Sequence, residues 1–327
     1  MKTKFSSLVL LLLCVASLKA STGDETPVWL QKAAAIKLPT YEKDVPAVVL
    51  VDDSTTTVDA DGKLTEAYNY AVRIIRREGR EYAVGEVGYI PDAGKVKDFR
   101  AWLIRPSGDV KHYGKDDMVD VAAALNDVYN EYRLKRIVGT SDTEEGAVFG
   151  YSYVREERSV FSQADWFFQN EIPVINSRYS LTLPSGWRAE GITFNHANVE
   201  PRINGSTYVW ELSNLPQIPH EPLSPSIRNL VAHLAVSYYP PANAQSVPIK
   251  TFSNWGDVAT WMSELEDPQV QVDDALARKA YELTALAKTE YEKIQAIAAY
   301  VQHIQYISIQ TGIGPCSYWM TRSWIPV

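Results

Sequence analysis

Between residues 45 and 239 the chain alternates apolar and polar residues in short runs separated by turn signals, the pattern of half-buried strands. Val45 to Val51 is a β-branched run around Pro46, and Thr55 to Val58 leads into the turn Asp59-Ala60-Asp61-Gly62. Leu64 to Ile75 sets Tyr68, Tyr70, Val72 and Ile74 against Asn69, Ala71 and Arg73, which turns one side to a core and the other to water. Phe99 to Arg105 and Val110 to Tyr113 flank Pro106-Ser107-Gly108-Asp109, where proline presets the first turn angle and glycine takes the left-handed one. Tyr129 to Val138, Ala147 to Glu156 and Arg178 to Leu183 continue the series. Ile192 to His196 and Tyr208 to Leu212 flank Asn204-Gly205, a hairpin signal, and Val231 to Tyr239 ends the run before Pro240-Pro241. The series predicts a mainly β fold, an antiparallel β-sandwich divisible into two subdomains.

The period changes near residue 250. Ser253 or Asn254 can cap a helix with Val258, Trp261, Met262 and Leu265 on one face. Val272, Leu276, Ala280 and Leu283 form a second stripe. Thr289-Glu290-Tyr291-Glu292 reads as a capping box, followed by Ile294, Ile297, Ala298, Val301 and Ile304 on one face. A short strand, Tyr306 to Ile309, and Gly312-Ile313-Gly314 come next. Ahead of the strands, Trp29-Leu30 and Ala33 to Ile36 suit a short helix.

The expected organisation is a signal peptide over residues 1–20, a lead over 21–44 and the β-sandwich domain over 45–248. An all-α segment covers 249–314, and an atypical tail covers 315–327. The leader has Lys2 and Lys4, an apolar stretch from Phe5 to Leu18 and a cleavage point at Ala20-Ser21, with a cut after Ala16 as the alternative. An uncleaved anchor is the competing reading, and Leu11-Leu12-Leu13-Cys14 weakly resembles a lipoprotein box with Cys14 as the lipid site. The expected location is the periplasm or the extracellular space.

The chain's 327 residues are 46% hydrophobic and 22% charged, with a net charge of −8 and no basic block, which argues against nucleic acid as a partner. Removing the leader leaves one cysteine, Cys316, so the exported chain cannot form an internal disulfide. Cys316 as a nucleophile needs an imidazole, but all five histidines, His112, His196, His220, His233 and His303, precede it, and an incidental thiol is the favoured reading. The histidines are scattered and no CxxC is present, so no metal or cofactor is expected. The carboxylate pairs Asp52-Asp53, Asp116-Asp117, Glu144-Glu145 and Asp273-Asp274 read as solvated loops. Neighbours on a strand would point to opposite faces, which poorly suits a two-carboxylate site. Nine Trp and nineteen Tyr leave room for a glycan- or peptide-binding face, densest at Trp166-Phe167-Phe168 and Tyr238-Tyr239.

Several stretches resemble a bacterial family of exported proteins in which a β-rich domain of unknown function precedes a transglutaminase-like domain. They are Val49 to Asp53, Ile74 to Gly79, Ala101 to Gly108, Gly146 to Tyr153, and Pro173-Val174 with the strand ending Leu183-Pro184-Ser185-Gly186. Ser253 to Val258, Glu292-Lys293-Ile294, Tyr300-Val301-Gln302 and Ile304 to Ile309 are similar to the family's lead into the transglutaminase-like fold. The resemblance implies an acyl-transfer or peptidase relative with a Gly-Asp-Cys-Lys-Asp-type segment, then His and Asp. None of these is present here, Cys316 comes too early to take that role, and Pro315 to Val327 departs from the pattern as a frameshifted tail would. The expectation is an envelope protein that is non-catalytic as it stands, with no catalytic residue assigned. A stand-alone module for a cell-envelope protein or glycan is the second reading. A cysteine-dependent transglutaminase or protease completed in an uninterrupted gene product is the third.

Overall fold

The computed structural model describes residues 25–123, 132–158, 161–219, 221–241, 252, 254–267 and 271–304. The leader with Cys14, His220, residues 242–251 with the expected division at 248–249, Ser253, the strand at 306–309, the glycines at 312–314 and the tail with Cys316 lie outside them.

Helix α1 (Val28–Ala34) precedes β1 (Ala47–Val58), β2 (Lys63–Ile74), β3 (Val84–Tyr89), β4 (Gly94–Ile104), β5 (Val110–Tyr113), β6 (Met118–Ala122) and β7 (Arg133–Val138). Then come β8 (Val148–Arg158), β9 (Gln163–Phe167), β10 (Val174–Thr182), β11 (Arg188–Phe194), β12 (Arg202–Asn204), β13 (Thr207–Leu215) and β14 (His233–Tyr239). Helices α2 (Trp255–Glu266), α3 (Asp274–Thr284) and α4 (Glu290–Gln302) end the described chain.

The fold is mainly β, as the alternation predicts. An eight-stranded sheet runs β12-β13-β10-β1-β2-β8-β4-β5, and two three-stranded sheets run β11-β14-β9 and β3-β7-β6. One pair departs from the antiparallel pattern: β1 and β10 run in parallel. A parallel pair needs a long crossover, and everything from β2 to β9 lies between these two strands. The hairpin at Asn204-Gly205 is present, with Gly205 at φ 60, but its arms are β12 and β13. The expected partner strand, β11, instead pairs with β14 in another sheet.

Both small sheets pack on one face of the large one. Val72, Ile74, Leu103 and Phe149 of the large sheet share a core with Val87 and Ile137 of β3 and β7. Leu64, Tyr179, Leu181 and Trp210 share a second core with Trp166 of β9 and Leu234, Val236 and Tyr238 of β14. Each fully buried large side chain contributes about 1.5–3 kcal/mol, so these cores hold the three sheets together. Helix α1 covers part of the opposite face, with Leu30 and Ala33 against Leu50, Ala71, Trp102 and Val148. A Cβ at Gly150 would stand 2.5 Å from Leu30 Cδ1, so glycine there lets the helix seat.

A bulge between Val49 and Val51 shifts the parity of β1. Ala47 and Val49 therefore share the covered face with Asp52, Ser54, Thr56 and Val58. This places a carboxylate where strict alternation would have put Val51.

The helix signals hold. Asn254 caps α2, accepting from the Asp257 N–H, and Trp261 is buried against Phe161 and Phe252 at ring distances of 5.5 and 5.4 Å. Asp273 caps α3. The capping box of α4 is formed, with Thr289 Oγ1 accepting from Glu292 N at 3.1 Å and Glu292 Oε2 accepting from Thr289 N at 3.2 Å. Leu276, Tyr281, Tyr291, Ile294 and Val301 on α3 and α4 are exposed.

Candidate binding surfaces

The aromatic clusters singled out from sequence divide between inside and outside. Trp166, Phe168 and Tyr238 enter the core, while Phe167 and Tyr239 turn outward, as a period of two demands. The outward rows are set by register. Phe194 of β11, His233 of β14 and Phe167 of β9 lie directly opposite one another, and so do Ile192, Ala235 and Asp165. The His233 ring stacks on Phe167 at 4.3 Å and 5°, and on Phe194 at 5.6 Å and 26°. The Arg228 guanidinium lies 5.1 Å from the Phe167 centroid, which completes a ladder of cation, ring, imidazole and ring. Asp165 Oδ1 is 3.1 Å from His233 Nε2 and fixes the imidazole. Phe194 remains 48% exposed and Ile192 62%, on a face whose central strand sets only the small Ala235 opposite Ile192 and Ser237 beyond it. Arg188 lies over Tyr239 at 4.6 Å further along the face.

Between the two cores lies a seam of polar and aromatic groups. Tyr68 packs against both cores and donates to Asp52 Oδ1 at 2.7 Å. Burial pushes the Asp52 carboxyl up to about 7; the Tyr68 hydrogen bond opposes this, and the charges of Asp53 and Glu66 add to it. Glu66 accepts from Ser54 Oγ at 3.0 Å and pairs with Arg155 at 3.0 Å. Arg155 also donates to the Gly88 carbonyl at 3.0 Å and so ties the seam to β3. Asp53, on the opposite face, is held by Arg178. The reading of this carboxylate pair as a solvated loop is thus corrected: both residues are in mid-strand, each satisfied by a partner on its own face. Of the other pairs, Asp116-Asp117 lies in a short 3-10 turn, Glu144-Glu145 lies in a turn, and Asp273-Asp274 starts α3.

A cleft of about 530 Å³ opens beside β4. Strand β5 pairs only with Ala101 to Ile104, and the chain then leaves the sheet at Gly114 to enter β6. Met118 and Lys135 line its other side, where the core-facing row of β6 and β7 changes from Met118 and Ile137 to Asp120, Lys135 and Arg133. Charged groups do not pack on an apolar sheet, so the apolar contact between the layers ends there. Asp120 accepts from Arg133 Nε at 2.7 Å, Lys135 Nζ at 3.0 Å and Tyr89 Oη at 2.6 Å. Burial pushes its carboxyl up, but the bonds from Tyr89, Lys135 and Arg133 outweigh this and hold it at about 2. Phe99, Arg100, Lys115 and His112 also line the cleft, and His112 Nδ1 is buried without a hydrogen-bond partner among the described residues.

The other described histidines have local roles. His196 lies in a turn after β11 rather than in the expected strand, with Nδ1 2.8 Å from the Ala197 carbonyl. His303 caps the end of α4, with Nδ1 2.6 Å from the Ala299 carbonyl. Among the described residues no three His, Cys, Asp or Glu side chains converge as metal ligands would. No described helix is long and apolar enough to cross a membrane. The sequence reading missed the His233 ladder because its rings come from three separate strands. It missed the cleft because β6 and the N-terminal half of β4 carry no clear period.

Residues 60–219, just under half of the chain, match a family described as a Domain of Unknown Function (DUF3857). Among solved structures, the chain is similar to a crystal structure from Parabacteroides distasonis ATCC 8503 of a protein described as a "putative protease". The TM-score is 0.63 with 19% identity, covering 83% of this chain and 52% of the other. The chain therefore spans about half the length of that protein, and the likeness is one of fold. Yeast LTA4 hydrolase in complex with bestatin aligns at a TM-score of 0.29 and 8% identity, over 64% of this chain and 33% of the other. No curated protein matches the chain.

Proposed function

We propose that this chain is the recognition part of an exported cell-envelope protein, in which the β-rich domain (45–248) binds a glycan or peptide and any chemistry belongs to a transglutaminase-like domain that begins with α2–α4. The exposed ladder of Arg228, Phe167, His233 and Phe194, with Ile192 beside it, carries this reading. Ring and aliphatic surface flanked by Asp165, Arg188 and Glu190 suits a polymer that presents apolar and polar groups in alternation. The DUF3857 match and the fold shared with half of a larger protein described as a "putative protease" support a module joined to a further domain. The exposed apolar faces of α3 and α4 support the same reading, because the leading helices of a domain bury such faces against its remaining elements.

The test is cosedimentation of the chain with isolated peptidoglycan sacculi, with stripped glycan strands and with released stem peptides. Phe194→Ser combined with Ile192→Ser is expected to cut retention at least tenfold with unchanged thermal melting. Retention that survives this pair removes the ladder from the binding face, and no retention on any of the three ligands ends the proposal. A chain ending at Pro248 is expected to be more soluble than the full chain; equal or lower solubility means that α3 and α4 pack on the β body.

A further inference from the structure

We propose that the cleft beside β4 binds a short extended peptide through its terminal carboxylate, a site separate from the aromatic ladder and independent of the reading given for it. The first support is backbone. Between Val96 and Arg100, β4 bonds to β8 on one side, and no described strand pairs with its other side. A free edge next to a cleft is where an extended chain adds main-chain hydrogen bonds. The bulge between Lys97 and Arg100, with Asp98 at φ 51, interrupts the edge and confines such an addition to a few residues.

The second support is charge. Arg100, Lys115 and Lys135 line the cleft against one lining carboxylate, Asp98. Lys135 is held by Asp120 at 3.0 Å. Arg100 meets Asp98 at 3.6 Å between exposed side chains, a pair that contributes little and leaves the guanidinium able to turn to a ligand. Lys115 makes no ion pair among the described residues, so a carboxylate entering between it and Arg100 gains two cations. The third support is size and lining: about 530 Å³, with Val96, Phe99 and Met118 available to one apolar side chain, falls within the range of small-ligand sites.

The test is isothermal titration of the full chain with N-acetyl-alanyl-alanine, its C-terminal amide and acetate. The free acid is expected to bind at least tenfold more tightly than either control. Lys115→Glu and Arg100→Glu are each expected to weaken it at least tenfold with unchanged melting temperature, and amide exchange at residues 96–100 is expected to slow on binding. Equal binding of acid and amide overturns the proposal, as does acid binding that survives both substitutions. Acetate binding as tight as the peptide shows an anion site without strand recognition and overturns it too. Should either substitution unfold the chain, Lys115→Gln and Arg100→Gln replace them, with the same tenfold loss expected and intact binding counting against the site. Phe194→Ser should leave this binding intact, and Lys115→Glu should leave sacculus retention intact, so the two readings can fail separately.

Discussion

The sheets β3-β7-β6 and β11-β14-β9 cover the same face of the central sheet, and they differ in what they do where the core ends. In β11-β14-β9 the alternation is complete: Leu234, Val236 and Tyr238 point in, and His233, Ala235 and Ser237 point out. Its inner face closes fully, and its specialised chemistry is therefore on the outside. In β3-β7-β6 the inner face itself turns from apolar to charged after Ile137 and Met118. A cleft lies beside that row, lined by Met118 and Lys135, so its specialised chemistry is at the edge of the layer. One strategy yields an exposed platform and the other an open, charged cleft. The difference rests on where charged residues enter the inward rows.

The largest test of the comparison is whether the two halves share one unfolding transition. Phe168→Ala in the second core is expected to cost about 3–5 kcal/mol, and Ile137→Ala in the first about 2–5 kcal/mol. Tyr68 and Arg155 tie the halves across the seam, so both substitutions should lower a single denaturant midpoint. Two separated transitions would make the halves independent units.

Next in size is the seam. The Asp52 carboxyl is raised from 3.8 to about 7 in the folded chain, so the folded state binds the proton more tightly than the unfolded one. Its contribution is favourable at low pH and is lost as pH rises from about 4 to about 7. Asp52→Asn should remove that slope and raise stability at pH 8 by about 1–3 kcal/mol. Urea melts at pH 5 and pH 8 measure it, and an unchanged pH difference in the variant would exclude Asp52 as its source.

The charged inner row gives a smaller effect with the opposite sign. Asp120 is lowered from 3.8 to about 2, so its support is present above about pH 4 and fades as pH falls toward 2. Asp120→Asn should lower stability at neutral pH by up to about 1 kcal/mol and flatten the loss of stability between about pH 4 and pH 2. A variant that unfolds at neutral pH would show that this carboxylate carries the β6–β7 pairing itself. The smallest effect belongs to the exposed platform. Phe194→Ser should change stability by less than about 0.5 kcal/mol, and a larger loss on thermal melting would mean that the ring ladder is a structural brace rather than a free surface.

Much of the fold can be read along the chain. Val110 to Tyr113, the tyrosine alternation of β2, the turns at Gly62 and Gly205 and the capping box at Thr289 are local facts. Each depends on side-chain period or backbone angle within a few residues, and each appears where the sequence places it. The same alternation also divides Trp166-Phe167-Phe168 between core and surface. What the sequence does not contain is which strand lies beside which. The parallel seat of β10 against β1 brings Arg178 to Asp53, and the three-strand register assembles Phe167, His233 and Phe194 from residues far apart in the chain. The bulge that carries Asp52 to Tyr68 and the early exit of β5 that opens the cleft beside β4 are likewise set by pairing. Local propensity fixes where strands and helices form; only the burial of whole sheet faces selects their partners, and both candidate surfaces come from that selection.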